Sequence, residues 1–331
     1  MNGSRLIVSG YGVRLGYRNG LFVVKEKNKV IAEAAPSMIE QIIIVTSGVS
    51  VSSKAIRTAI YHGIDVVFLD SRGLPIGRLY PPFINKTVDT RREQYLAYID
   101  GRWMDIVRVL IKSKIMNQEH VIHNLEINTR SAEVRDERRR LLRYAERIDT
   151  IEYDYPESYR DKIRNIEAMA ARTYWAAISV FVPKDIGFNG RDQDGIDAFN
   201  TILNYGYGIL YTEAWKALVL AGLDPYAGYL HVDRSGKPVL VYDYVEPFRP
   251  VVVDYPLLKL LRRGWRPEIE GGLLSRKSRT KIVETIMKAL LEKAQYHGDR
   301  ITREQAMKRY ARLIASYLRG ETVIVQGPVE R

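Results

Sequence analysis

The chain has 331 residues, long enough to suggest two cores, and its 46% hydrophobic and 27% charged content is that of an ordinary globular protein. It has no cysteine, which excludes disulfides, thiolate metal sites and cysteine nucleophiles. Fifty-one Lys and Arg against 39 Asp and Glu leave a formal charge of +12, which favours a polyanionic partner because neutralised phosphates release condensed counterions. Charge alone does not separate DNA from RNA or from an anionic membrane surface. The opening MNGSRLIVSG lacks the apolar core of a signal peptide. No stretch approaches the roughly 18 uncharged apolar residues that span a bilayer, so a cytoplasmic location is expected.

From residue 5 to about 80 the pattern is β-rich. RLIVSG, GVRLGY, LFVVKEK and KVIAEA are short β-branched runs, and Asn19-Gly20 predicts a hairpin turn between two of them. QIIIVTSG and IDVVFLD read as more deeply buried strands. Between them SSKAIRTAIYHG predicts a helix capped by serine and closed at Gly63. SRGLPIG and Pro81-Pro82 then stop the β pattern. Beyond about residue 88 the period changes to 3.6. RREQYLAYIDGRWMDIVRVLIKSKIMNQEHVIHNLE is a long amphipathic stretch broken near Gly101, and four further helices follow in SAEVRDERRRLLRYAERIDTI, PESYRDKIRNIEAMAARTYWAAISVF, IDAFNTILNYGYGILYTEAWKALVLAG and REQAMKRYARLIASYLRG. RKSRTKIVETIMKALLEKAQYHG also predicts a helix. The expectation is an α+β protein: a small N-terminal β-rich domain over 1–87, then a larger all-α domain over 88–331.

Three stretches place metal-ligand residue types where packing alone disfavours them. Ile163, Ile166, Ala170, Tyr174 and Ala177 form an apolar helical stripe, and Glu167 points into it. A buried carboxylate needs a cation, which is either a metal or a salt bridge to Arg164 or Arg172. His231 lies in YLHV, which with VLVYD flanks the turn-like DRSGKP. A hairpin there would bring the imidazole near Asp243. Asp243 and Glu246 share a face if the chain is helical there, although Asp243 alone would also serve as an N-cap. Arg249 follows on the same side, to pair with Glu246 or to reach a phosphate. His120 and His123 sit three apart without a third ligand and read as surface or interface residues. His62 and His297 each precede a glycine and read as helix ends. FNGRDQDG is too acidic to cradle phosphate and reads as a flexible loop near the site. Walker and dinucleotide glycine motifs are absent from the sequence.

KSKIMNQ, IEAMAARTYW, FNGR, DAFNTILNYGYGILYTE, AGLDPYAGYLH and YDYVEPFRPVVVD, in that order, together resemble the CRISPR-associated integrase and endonuclease family Cas1 over most of the chain. By that resemblance the family's metal-binding glutamate falls on Glu167, its histidine on His231 and its later acidic ligand on Glu246, with Asp243 as the accompanying acid. Ala168 departs from the glycine that many members carry after the glutamate, a change that should leave the ligand intact. The resemblance implies Mg²⁺ or Mn²⁺, double-stranded DNA as substrate, a homodimer formed through the β-rich domain, and a smaller Cas2 partner. It implies insertion of spacer DNA into a CRISPR array by attack of a 3′-hydroxyl on a repeat phosphodiester. Arg164, Arg172, Lys216 and Arg249 are candidates to hold DNA phosphates, with Asn200 and Tyr207 supporting the site. Two other readings are a general metal-dependent repair nuclease and a non-catalytic DNA-binding scaffold whose acids only pair with arginines.

Overall fold

The computed structural model describes residues 4–79, 88–129, 134–153, 155–231, 235–270, 273–324 and 326–330. The N-terminal part contains β1 (Ser4–Val8), β2 (Val13–Arg18), β3 (Leu21–Glu26), β4 (Lys29–Ala34), β5 (Ile39–Ile44), β6 (Ser50–Val51), α1 (Ser53–Tyr61), β7 (Asp65–Leu69) and β8 (Pro75–Leu79). One four-stranded sheet has the order β4-β3-β2-β6, and the other has the order β1-β5-β7-β8. The β2–β3 hairpin turns at Asn19 and Gly20, with φ of 51° and 82°, as the dipeptide predicts. Ser52 caps α1 by accepting a hydrogen bond from the Ala55 N–H, and Gly63 closes it at φ 69°. His62 sits at that helix end, as expected.

In the second sheet β1, β5 and β7 run parallel, and this explains why QIIIV is apolar without alternation. Ile42 and Ile44 face the β-rich core, whereas Ile43 and Val45 join the helical core on the other side. Val66 and Val67 of β7 divide in the same way. The sheet therefore floors both cores. The boundary expected between 87 and 88 lies at residues outside the described set, as does Pro81-Pro82.

The rest of the chain is mainly helical: α2 (Val88–Asp100), α3 (Trp103–Thr129), α4 (Arg135–Asp149), α5 (Pro156–Phe181), α6 (Ala198–Leu220), α7 (Val239–Val245), α8 (Tyr255–Arg262), α9 (Arg276–Leu291) and α10 (Arg303–Leu318). A π-helical turn, Arg249–Asp254, leads into α8. The break between α2 and α3 falls at Gly101, φ 88°, as predicted. α6 is buried on almost every side and forms the axis of the helical part. Two small two-stranded sheets accompany the helices: β9 (Ile269–Glu270) with β10 (Leu273–Leu274), and β11 (Lys293–Tyr296) with β12 (Asp299–Thr302). The second corrects the long helix expected through Gly298. α9 stops at Leu291, and the chain turns back at His297 and Gly298, with φ of 49° and 91°. His297 is thus a hairpin-turn residue and not a helix end. Ala294 and Tyr296 alternate inward, a strand pattern too short to stand out from the preceding helical period.

Candidate active site

Three elements of the helical part supply the site: α3, α5 and the end of α7. The apolar stripe of α5 is buried as predicted, and Glu167 emerges from it with its side chain 26% exposed. Its partner is neither Arg164 nor Arg172. Lys114, projecting from α3, contacts Glu167 Oε1 and also stands 2.6 Å from Oε2 of Glu246. Glu246 is nearly fully buried, and its other oxygen, Oε1, pairs with Arg249 at 2.8 Å. Burial opposes ionisation of Glu246, but Arg249 first, then Lys114 and His231, hold its carboxyl down to about 2. Glu246 Oε2 thus faces the ammonium, and each oxygen of the Glu246 carboxylate has its own cation.

His231 arrives by a route other than the predicted hairpin. Residues 239–245 form helix α7, not a strand; its Val and Leu side chains are buried on all sides, which erased the helical period. The loop before α7 is instead pinned to Asp243. Oδ2 of Asp243 accepts from the N–H groups of Tyr229 and Leu230, at 2.7 and 3.0 Å, while Oδ1 accepts from the His231 N–H at 3.2 Å. Oδ1 also meets the imidazole Nδ1 at 2.5 Å. Pro238 stands at the α7 N-cap, so Asp243 is not the cap. Asp243 lies inside α7 and Glu246 follows it in helical conformation, so the two acids do sit one turn apart. With Nδ1 engaged, the imidazole presents Nε2 outward on a side chain 46% exposed. Burial lowers the imidazole pKa, but Asp243, by hydrogen bond and by charge, outweighs this and raises it overall.

The remaining predicted residues divide by placement. Arg164 donates to the Leu230 carbonyl and Arg160 to that of Tyr229, so two arginines on α5 tether the His231 loop. Arg249 is committed inside the protein, stacked over the rings of Tyr207 and Tyr211 at 5.1 and 5.6 Å. Arg172 is exposed, and Lys216 is half-buried beside Glu213. Tyr207 carries Arg249 on its ring and donates its hydroxyl to Asp254 at 2.7 Å. Asn200 acts further away: its amide binds the Gly190 carbonyl and Asp197, and its oxygen receives Arg191 and the Asp192 N–H. FNGRDQDG thus winds around Asn200 at the start of α6. His120 and His123 are half-buried on α3; His120 bonds Asn124, and burial lowers its pKa.

Local sequence pattern does not mark Lys114, Asp254 or Asn117 as site residues. Asn117 lies one turn beyond Lys114 and donates to the carbonyls of Pro247 and Pro328, while its oxygen accepts the Glu330 N–H. It fixes α3 against the segment that follows Glu246. The signal for Lys114 was its place in KSKIMNQ, but with Lys112 two residues before it the sequence does not tell which lysine turns inward. Lys112 pairs outward with Asp149. Among the described residues, no three His, Cys, Asp or Glu side chains are yet gathered closely enough to enclose a metal ion. Lys114 bridges the two glutamates instead.

The family model "CRISPR associated protein Cas1" matches residues 6–295. CRISPR-associated endonuclease Cas1 1 of Archaeoglobus fulgidus is 38% identical over 336 residues, covering 96% of this chain and 97% of the relative. Among solved structures, "Casposase bound to integration product" is similar with a TM-score of 0.81 and 25% identity, covering 97% of this chain and 92% of that one. A chain of a "Cas6-RT-Cas1--Cas2 complex" is similar in fold, with a TM-score of 0.75 and 18% identity, over 97% of this chain and 35% of that chain. Extending over nearly its whole length, the match places this chain in the Cas1 family of CRISPR-associated proteins.

Proposed function

We propose that this protein is a metal-dependent DNA integrase and endonuclease that inserts spacer DNA into a CRISPR array. The observation that carries the reading is the pairing of Glu167 with Glu246 across one bridging cation, beside an imidazole whose Nδ1 is already engaged. The family relatives bear the endonuclease name, and the similar casposase was solved with an integration product. Two carboxylates and one imidazole suit a divalent ion, and Glu167 and Glu246 already share a single cation, the Lys114 ammonium, between them. Glu167, Glu246 and His231 Nε2 would hold Mg²⁺ or Mn²⁺, the nitrogen favouring Mn²⁺. The ion supplies Lewis acidity toward the scissile phosphate and its leaving oxygen.

The chain's own groups do the positioning. Asp243 fixes the tautomer and direction of His231, Arg249 fixes the rotamer of Glu246, and Tyr207 and Tyr211 hold Arg249. Of the four basic candidates, Arg172 is the exposed one and is assigned to DNA phosphate; Arg164 and Arg249 serve the site from within. A 3′-hydroxyl as nucleophile gives strand transfer and water gives cleavage. Double-stranded DNA, a homodimer through residues 1–87, catalysis in residues 88–331, a Cas2 partner and a cytoplasmic setting belong to the same proposal. No helix among the described residues is long and apolar enough to cross a membrane.

Integration of a DNA duplex into a supercoiled, repeat-bearing plasmid tests the reading. Glu167→Ala and His231→Ala should each lower joined product by at least about a hundredfold while folding is retained, in line with loss of a metal-ligand interaction. Near-normal joining by either variant overturns the assignment. Cut but unjoined product in the wild type would leave a general nuclease. No metal-dependent activity would leave the DNA-binding scaffold.

A further inference from the structure

Lys114 occupies the space between Glu167 and Glu246 that any cation shared by those carboxylates must take. Its side chain is 10% exposed and reaches inward from α3, while Glu246 is 3% exposed. The ammonium donates to Glu167 Oε1 and stands 2.6 Å from Glu246 Oε2. A divalent ion and this ammonium cannot both sit there, since two cations a few ångströms apart in a poorly solvated site repel strongly. A lysine displaced on its flexible four-carbon stem needs another anion. A DNA phosphate presented to the metal is the anion that binding itself delivers.

We infer that Lys114 is an internal counter-cation that competes with the divalent metal for Glu167 and Glu246 and passes to a DNA phosphate when the metal enters. The inference rests on reading Glu167, Glu246 and His231 as metal ligands. Its consequence is thermodynamic: DNA and metal assist each other's binding, and by linkage the effect is reciprocal. Without DNA the lysine keeps the carboxylates neutralised, and the metal binds weakly.

The test is titration of Mn²⁺ into the full-length protein, followed by calorimetry or by the Mn²⁺ paramagnetic signal, with and without a short DNA duplex bearing 3′-hydroxyl ends. In the wild type, DNA should tighten Mn²⁺ binding about tenfold, a coupling of ordinary size. Lys114→Met should bind Mn²⁺ about tenfold more tightly than the wild type without DNA, and DNA should add little further. Mn²⁺ binding by Lys114→Met no tighter than by the wild type overturns the inference. Glu167→Gln separates the two levels: if it removes Mn²⁺ binding while Lys114→Met changes nothing, only the exchange fails. If it leaves Mn²⁺ binding intact, the metal-ligand reading fails as well. Because Lys114→Met leaves two carboxylates facing each other, melting is also followed in EDTA and in Mn²⁺. The variant should melt below the wild type in EDTA and gain more from Mn²⁺; an equal gain counts against the exchange. Should it not fold without metal, Lys114→Gln, which keeps a neutral donor, carries the same comparison.

Discussion

The hydroxyls of Tyr207 and Tyr174 converge on the two oxygens of Asp254, at 2.7 and 3.1 Å, in the core behind Arg249. Burial pushes this carboxyl up to about 6, against the downward pull of both hydrogen bonds. The folded protein therefore retains a proton that the unfolded chain, with a carboxylate pKa of about 3.9, has already released. The stability tied to that proton is complete below about 3.9 and disappears as pH rises through about 6. Glu246 and Glu213 run the other way. Charge partners hold both down to about 2, so their contribution is present above the unfolded glutamate value of about 4.3 and falls away in stronger acid. Between about pH 4 and 7 His231, His120 and the two glutamates also contribute, and comparison with a variant lacking only the Asp254 carboxyl removes their shared part. Relative to Asp254→Asn, the wild type should lose up to about 3 kcal/mol across that interval in urea unfolding, and a flat difference would contradict the assignment. Glu167 was legible as an acid in an apolar stripe. Asp254 was not, because nothing in VVVD marks an acid that will face two tyrosines from other helices.

α6 meets the β-rich part at Gly208, which lies against the backbone of the turn at Gly73 and Leu74. A Cβ on Gly208 would collide with the Gly73 carbonyl oxygen, and a backbone neighbour cannot swing aside as a side-chain tip can. Gly208→Ala would gain about 1 kcal/mol of helix propensity, but overpacking of this kind costs about 1–3 kcal/mol. With the Cβ only 2.0 Å from a backbone oxygen the cost falls at the upper end of that range, giving a net loss of about 2 kcal/mol in urea unfolding. A variant as stable as the wild type would show that the helix and turn are not held this closely. The glycine pair in NYGYGIL is visible in the sequence; its reason is not, since Gly73 is far away along the chain. Element reading succeeded where an apolar period ran unbroken, as in α4 and α5. It failed at α7, which is apolar all round, and at the β11–β12 hairpin, which follows a helix without any turn signal before His297-Gly298.

At the scale of the whole molecule, the β-rich and helical parts are joined by buried charge as well as by apolar packing. Arg5 of β1 bridges Glu213 of α6 and Glu304 of α10, each at 3.1 Å. Arg78 of β8 grips Asp65 and donates to the Thr212 carbonyl at 3.0 Å, and Gln41 completes the chain by donating to Asp65 at 2.7 Å. Such links between distant residues are invisible to local pattern, so two units were legible but the shared floor between them was not. The same limit held at the site, where Glu167, His231 and Glu246 were marked individually while Lys114, which brings two of them together, was not. The central claim is that these three side chains hold one divalent ion. A crystal soaked in Mn²⁺, with the anomalous signal of the metal mapped, tests it most directly. The expected result is a single strong peak about 2.1 Å from Glu167, Glu246 and His231 Nε2, with the Lys114 ammonium moved aside. A peak elsewhere, or none while Lys114 still bridges both glutamates, would contradict it.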